Sequence, residues 1–224
     1  MKKRVIAIMI TFALILISGV QASYAVSAST AELLEDKLVY HTEESDYISG
    51  DCVLSATRIM IRRAGIMNED KEWADLTNEK LRPHATEDGL MHNCFSYTDD
   101  GITYSISTGT FEGEDNAARI KEFAELVRSH PEGVVVYGEG AAETGTHGVL
   151  LVDVVDGVVY AADTSNNMGD RNIGIQKWND TTMLDPSLCT DYWYISEISI
   201  GGKPAADAQN ERRTIPLMPN IFFA

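Results

Sequence analysis

Cysteine, histidine and aspartate side chains stand at three points of the chain where nucleophilic chemistry could be arranged. Cys52 directly precedes an apolar helical pattern, His147 opens an apolar strand pattern, and Asp163 closes the strand pattern that follows. A thiol at the start of a helix has its thiolate stabilised by free N–H groups and the helix dipole, which lower a thiol pKa from about 8.5 to roughly 3.5–7.5 in favourable sites. The backbone N–H of Cys52 could also hold a developing oxyanion, so this position predicts acyl transfer.

The stretch from Gly50 to Gly65 has the pattern expected of the helix that would carry Cys52. Asp51 is a suitable N-cap, Gly65 is a natural C′ residue, and three arginines lie toward the C-terminal half. Apolar residues recur at helical spacing on one face, namely Val53, Ala56, Met60 and Ala64. We therefore expect Cys52 to be the first residue of a buried helix.

A general base for Cys52 has to come from one of five histidines. His147 alone stands at the mouth of a predicted central strand, since the runs on both sides of the Asp-Gly pair that follows it are continuously apolar. The other four lie in predicted polar connections or loops, namely His41, His84, His92 and His130. His147 is therefore the predicted base.

Strand parity tests whether Asp163 can orient His147. If Asp156-Gly157 formed a two-residue hairpin turn, Asn166 would lie opposite His147, and Asp163 would point to the other face of the sheet. That arrangement would separate the carboxylate from the imidazole.

A three-residue loop over residues 155–157, with Gly157 in the left-handed bulge position, gives the opposite result. Asp163 then pairs with Val149 on the face that carries His147, at a diagonal offset of about 7–8 Å that the two side chains can close. A site built from Cys52, His147 and Asp163 therefore requires a bulged hairpin. Asp153 shares that face but lies at the far end of the strand, so it is the weaker candidate.

The remaining elements predict an α+β domain, because helices come first and strands mostly later. The predicted helices and strands outside the hairpin are helices over residues 69–81 and 116–129, a hairpin over 95–110 with an Asp100-Gly101 turn, and strands over 134–137 and 192–200.

The order of these motifs resembles the papain-like cysteine peptidases, nearest to the type that removes double-glycine leader peptides from bacteriocins. The resemblance rests on G-D-C before a small-residue helix, then P-E-G-V-V-V-Y, then T-H-G-V-L-L-V-D with an aspartate after it, and it covers about residues 46–200. It implies N-terminal helices packed on a mostly antiparallel sheet. It also implies catalytic roles for Cys52, His147 and Asp163.

Two positions depart from the pattern of that family. Asp46 stands where the family places an oxyanion-hole glutamine, and Val53 stands where it places a glycine. An ionised carboxylate would repel an oxyanion, so we expect that Asp46 is protonated, that another donor such as Ser49 replaces it, or that ordinary peptidase activity is lost.

The N-terminus predicts export from a bacterial cell. Basic residues at positions 2–4 precede an apolar run over 5–17, and Ser23-Tyr24-Ala25 offers a cleavage site. The run is short for a membrane span of about 20 residues, so we expect a signal peptide over 1–25 and no stable span after its removal. The mature chain would comprise a lead-in over 26–45, a catalytic domain over 46–200 and a tail over 201–224.

Charge and cysteine content narrow the partners and the redox chemistry. The net charge of −16 argues against nucleic acid, whose phosphates require a basic surface. Three cysteines leave one unpaired in an oxidising compartment. If Cys52 is the free thiol, Cys94 and Cys189 can form a disulfide, although sequence does not fix the pairing.

We therefore expect a secreted or cell-surface cysteine peptidase that hydrolyses peptide amide bonds through a thioester acyl-enzyme, with no metal or organic cofactor. Residues 163–169 match a calcium loop only in part, and no second pair of zinc ligands accompanies His92 and Cys94. One alternative is a cell-wall amidohydrolase of the same fold, acting on peptidoglycan peptides. The other is a non-catalytic papain-like binding protein in which Asp46 disables the oxyanion hole.

Overall fold

The computed structural model describes residues 28–140, 145–178 and 184–205. The predicted signal peptide and residues 206–224 of the predicted tail lie outside the described residues. Helices pack against an antiparallel sheet, so the prediction of an α+β fold with a mostly antiparallel sheet is confirmed. None of the described helices is both long and apolar enough to span a membrane.

Four α-helices and eight strands make up the described fold. The helices are α1 (Ala28–Glu35), α2 (Cys52–Met67), α3 (Asn78–Leu81) and α4 (Asn116–Ser129). The strands are β1 (Cys94–Asp99), β2 (Ile102–Thr110), β3 (Val134–Gly140), β4 (Thr146–Val155), β5 (Val158–Asp163), β6 (Gln176–Lys177), β7 (Leu184–Ile200) and β8 (Lys203–Pro204). Strand order in the sheet is β1-β2-β7-β3-β4-β5-β6, with β8 paired to β7.

The sheet buries apolar residues on both of its faces. One core joins α2 to the sheet through residues such as Leu54, Leu150 and Trp193. The other joins α4 to the opposite face through Phe123 and Val149, among others. Because β3 and β4 are covered on both sides, their continuously apolar sequences are explained by burial.

Helix α2 begins at Cys52 as predicted and is buried through Ile66. Its C-terminus differs from the prediction: the helix runs past Gly65 to Met67, and Asn68 is the C-cap. Gly65 instead provides a close approach, since an added Cβ there would lie 3.0 Å from Trp73 and 3.3 Å from the Tyr104 hydroxyl.

The predicted helix over residues 69–81 is wrong for most of its length. Only α3 and a 3-10 turn over Trp73–Asp75 are helical. Glu69 has a φ of 60°, which interrupts the α conformation directly after α2. The buried Arg62 guanidinium donates hydrogen bonds to the carbonyls of Ala74 and Leu76, which are thus satisfied without a helix.

Several other elements follow the sequence closely. The β1–β2 hairpin turns at Asp100 and Gly101, whose φ values of 42° and 76° suit a tight two-residue turn, and this prediction is confirmed. Helix α4 has the predicted bounds, with Asp115 capping the N–H of Ala118. Strands β3 and β7 are longer than predicted, since β3 reaches Gly140 and β7 begins at Leu184.

The β4–β5 hairpin has the predicted pairing but a different cause for it. Val149 pairs with Asp163, as the three-residue loop required. The turn itself has two residues, because Val155 pairs with Val158, and the register shifts instead between Leu151 and Asp153. The expected extra residue is therefore a bulge at Val152 inside β4, and the predicted three-residue loop is wrong.

All three cysteines are unpaired, so the structure does not contain the possible Cys94–Cys189 disulfide. Cys94 is exposed on β1, whereas Cys189 is buried on β7. Burial raises the pKa of the Cys189 thiol to about 12. The Cys189 thiol is therefore a poor nucleophile at neutral pH.

Candidate active site

Cys52 occupies the first helical position of α2 at the end of a tight turn. Its side chain is buried, with Sγ 3.7 Å from the carbonyl oxygen of Gly50. Gly50 has a φ of 101°, a conformation that favours glycine, and this reverses the chain just before the helix. The first N–H groups of α2 have no acceptor within the helix, so they surround the thiol with partial positive charge.

Asp51 has a different role from the capping role that the sequence suggested. It stands at the N-cap position, but its side chain makes no capping hydrogen bond to the helix. Its carboxylate instead accepts a bidentate pair of bonds from Arg82, at 3.0 and 2.8 Å, and a bond from the N–H of Ile48. This network fixes the turn that presents Cys52.

Contact between Val53 and Gly148 brings the start of α2 against β4. A Cβ added at Gly148 would lie 2.6 Å from Cγ2 of Val53 and 3.2 Å from its Cα and N atoms. The Val53 side chain is therefore accommodated by a glycine on the facing strand. Because Gly148 directly follows His147, this contact also sets the distance between the helix start and the histidine.

His147 and Asp163 form a buried hydrogen-bonded pair, as the parity argument required. Nε2 of His147 lies 3.0 Å from Oδ1 of Asp163, and the two residues are 7% and 2% exposed. At this separation the Asp163 carboxylate fixes the orientation of the imidazole. Asp153 is exposed and separated from the pair by the bulge at Val152, so it takes no part.

The His147 imidazole also lies close enough to Cys52 for the thiol to affect its pKa. Burial by itself would lower the pKa of His147, but hydrogen bonds to Asp163 and to Cys52, together with the charges of both partners, raise that pKa to about 9. Since Nε2 faces Asp163, Nδ1 is the nitrogen left for the thiol. The structure thus brings together Cys52, His147 and Asp163, the three residues selected from the sequence.

Asp163 is held by more than the histidine. Its Oδ1 also accepts the backbone N–H of Ser165 at 2.9 Å and the Ser165 hydroxyl at 2.5 Å. Burial would raise the pKa of Asp163, but the bonds and charge of His147, together with the bonds from Ser165, lower it below its usual value. Oδ2 of Asp163 is buried without a hydrogen-bond partner among the described residues.

Asp46 does not project into this site. Its two carboxylate oxygens accept the backbone N–H groups of Asn78, at 2.6 Å, and Glu79, at 3.1 Å, at the start of α3. Because the Asp46 carboxylate binds α3, it is not placed to repel an oxyanion at Cys52. Ser49, the other residue considered for that role, is exposed in the turn before α2.

The other histidines lie away from this cluster and have their own contacts. His41 contacts Glu43, His84 stacks on Phe95, and His130 contacts Glu132. His92 is exposed. None of these contacts places an imidazole beside Cys52.

Two residues of the site were missed in the sequence. Ser165 could have been found, because the register that pairs Val149 with Asp163 places Ser165 opposite His147. Tyr47, which lies close enough to Cys52 and Asp163 for their charges to affect its phenol, had no such signal. It precedes the helix in an irregular segment whose side-chain directions no periodicity reveals.

Within the described part of the chain, no group of three or more His, Cys, Asp or Glu residues is placed to hold a metal ion. The loop after Asp163 uses its polar groups internally instead, since Asn167 is buried and bonds to the carbonyls of Asp163 and Gly174.

The chain was compared with protein-family models, curated proteins and solved structures. No protein-family model, curated protein or solved structure matches the chain.

Proposed function

We propose that this protein is a cysteine hydrolase of the papain-like type that cleaves peptide amide bonds. The observation that carries the proposal is the buried His147–Asp163 pair, with its 3.0 Å hydrogen bond, close to a thiol at the first turn of a helix. Nucleophile, base and orienting group in this relation are the parts that acyl transfer requires.

The chemistry follows from the roles of the three side chains. His147 takes the proton of Cys52 at Nδ1, and the thiolate attacks the amide carbonyl carbon to form a C–S bond. The tetrahedral intermediate collapses, the C–N bond breaks, and His147 gives its proton to the leaving amine. Water, deprotonated by His147, then hydrolyses the thioester and restores the thiol. Asp163 keeps the imidazole oriented throughout.

The elevated pKa of His147 suits the first of these steps. A histidine that holds its proton up to about pH 9 keeps a positive charge near the thiol across the neutral range, and such a charge favours a thiolate nucleophile. Burial instead raises the pKa of the Cys189 thiol to about 12. The proposal therefore assigns reactivity to Cys52 and not to Cys189.

Export is part of the proposal, because the basic and apolar N-terminal segment has the composition of a signal peptide. A secreted or surface hydrolase would meet peptides or the peptide part of peptidoglycan as substrates. N-terminal sequencing of the protein recovered outside an expressing bacterial cell tests this point, and an N-terminus near residue 26 is expected.

The experiment for the activity is a digestion of a mixed peptide library and, separately, of isolated peptidoglycan, read out by mass spectrometry. Cleavage products are expected with the wild-type protein and with Cys189→Ala, but not with Cys52→Ala or His147→Ala. An acid quench should trap an acyl adduct on Cys52. Cleavage of the peptidoglycan alone would identify the cell-wall amidohydrolase, and cleavage that persists in Cys52→Ala would refute the proposal.

A further inference from the structure

The Ser165 hydroxyl bonds to the same carboxylate oxygen that holds the His147 imidazole. Oδ1 of Asp163 accepts this hydroxyl at 2.5 Å and the backbone N–H of Ser165 at 2.9 Å, in addition to the 3.0 Å bond with Nε2 of His147. Oδ2 of Asp163 is buried without a hydrogen-bond partner among the described residues. The bonds that orient the carboxylate therefore converge on one oxygen, and two of these three come from Ser165.

The distances around Ser165 Oγ decide where its proton goes. A serine hydroxyl has one proton to donate and two lone pairs to accept with. Oγ lies 2.5 Å from Oδ1 of Asp163 but 3.5 Å from Nε2 of His147, so the proton is donated to the carboxylate. Nε2 then faces two acceptors, the carboxylate oxygen and a lone pair of the hydroxyl. This arrangement favours the tautomer with the proton on Nε2, which leaves Nδ1 as the base.

The loop after β5 holds Ser165 in this position. Ser165 lies in the 3-10 turn Thr164–Asn166, for which Asp163 is the N-cap. The buried Asn167 side chain bonds to the carbonyl of Asp163 at 2.9 Å, which closes the loop on the end of the strand. Thr42 of the lead-in donates its N–H to the carbonyl of Asn167 at 2.8 Å. The hydroxyl is therefore held from the strand and from the lead-in.

The same local motif also occurs on β7, away from the histidine. Oδ1 of Asp185 accepts the N–H of Ser187 at 2.9 Å and its hydroxyl at 2.8 Å. Both Ser187 and Ser165 are partly buried. His147 bonds to the carboxylate of Asp163 and not to that of Asp185. The motif by itself is thus a local turn, and the imidazole on the shared oxygen distinguishes Ser165.

We propose that Ser165 is a positioning residue of the hydrolase, whose hydroxyl holds Asp163 and His147 in the arrangement that leaves Nδ1 free to accept a proton. This inference rests on the proposed function. The step that depends on it most is hydrolysis of the acyl-enzyme, because the Cys52 sulfur then carries the acyl group and His147 acts as a neutral base. Nδ1 takes a proton from water, and the water oxygen bonds to the thioester carbon. The C–S bond then breaks, and the proton passes to the sulfur as the acid is released.

The test separates formation of the acyl-enzyme from its hydrolysis, with p-nitrophenyl acetate as the probe. The burst of p-nitrophenolate reports attack by Cys52, since this leaving group needs no proton, and the steady rate that follows reports hydrolysis of the acetyl-enzyme. Ser165→Ala is expected to lower the steady rate by roughly tenfold, the effect of one hydrogen bond to a charged group, with little change in the burst rate. Ser165→Thr keeps the hydroxyl and is expected to restore the steady rate.

Controls separate the possible outcomes. Ser187→Ala removes the equivalent hydroxyl from the Asp185 motif and should change neither rate, while thermal melting verifies that the variants fold. The role of Ser165 would be overturned, with a reactive Cys52 still in place, by an unchanged steady rate in Ser165→Ala, by an equal loss of burst and steady rates, by the same loss in Ser187→Ala, or by no recovery in Ser165→Thr. If wild-type protein gives no burst beyond that of Cys52→Ala, the hydrolase proposal fails and this inference fails with it.

Discussion

The His147 side chain connects the two other members of the site, the Asp163 carboxylate at Nε2 and the Cys52 thiol. Each contact favours the protonated imidazole, and together they outweigh burial, which disfavours it. The residue types were recognisable in the sequence because each stands at the end of a predicted element. The sequence did not reveal that Asp46 points away from the site. Its carboxylate binds the start of α3, a helix that the sequence placed within a longer one.

Stability at the residue scale should depend on pH through His147. Its pKa in the folded protein, about 9, is above the ordinary value of 6.5, so its stabilising contribution is fully present below pH 6.5 and is lost as the pH rises through 9. Urea unfolding of wild type and His147→Gln should therefore show a difference in free energy of unfolding that shrinks from pH 6.5 to above pH 9. A constant or growing difference would contradict the ion-paired arrangement.

At the scale of elements, the site depends on one hairpin and one helix start. Parity required Asp163 to pair with Val149 if its carboxylate was to reach His147, and the structure has this pairing. The sequence could not locate the bulge that produces it, because Asp156 and Gly157 satisfy both a two-residue turn and a bulged loop. The φ values of 50° and 78° at these residues show the two-residue turn. No feature of the sequence marks Val152 as the extra residue of a bulge.

The contact between α2 and β4 gives a prediction for Gly148→Ala. The added methyl would lie 2.6 Å from Val53 Cγ2, so helix and strand must separate, at a cost of about 1–3 kcal/mol in free energy of unfolding. Alkylation of Cys52 by iodoacetamide should also slow, since the thiol moves away from His147. Chemical denaturation and labelling rates measure the two effects.

A compensating variant makes that prediction specific. Val53→Ala in the Gly148→Ala background removes the Cγ2 atom and should restore part of both stability and labelling rate. If the double variant labels as slowly as Gly148→Ala alone, the Val53–Gly148 contact does not set the geometry of the site.

At the scale of the whole molecule, buried arginines of α2 hold the irregular segments around the sheet. Arg63 donates to the carbonyls of Glu132 and Pro131, just before β3, and to the Tyr40 hydroxyl in the lead-in. Arg58 similarly bonds to the backbone of His41 and the hydroxyl of Thr42. The helical pattern predicts that these arginines lie on α2, but it does not identify their partners, which are distant in the chain and are mostly backbone atoms.

Replacing Arg63 should therefore destabilise the fold without changing the chemistry of the thiol. Arg63→Met removes the donors of two buried hydrogen bonds, to the Glu132 carbonyl and the Tyr40 hydroxyl, and of a partly buried one to Pro131, and is expected to lower the free energy of unfolding by about 2–4 kcal/mol. Arg128→Met, at an exposed position of α4, is the matched control and should be nearly neutral. Urea denaturation measures both, and equal small effects in the two variants would show that the Arg63 network contributes little.

The most direct test of the reactive site is the rate of iodoacetamide labelling at Cys52 from about pH 4 to about pH 9, resolved by peptide mass spectrometry. We predict rapid labelling of Cys52 in the mildly acidic range, slow labelling of Cys189 throughout, and loss of the acidic-range reactivity in His147→Ala. Labelling of Cys52 that appears only at alkaline pH, or that is identical in wild type and His147→Ala, would contradict a thiolate–imidazolium pair and with it the proposed hydrolase.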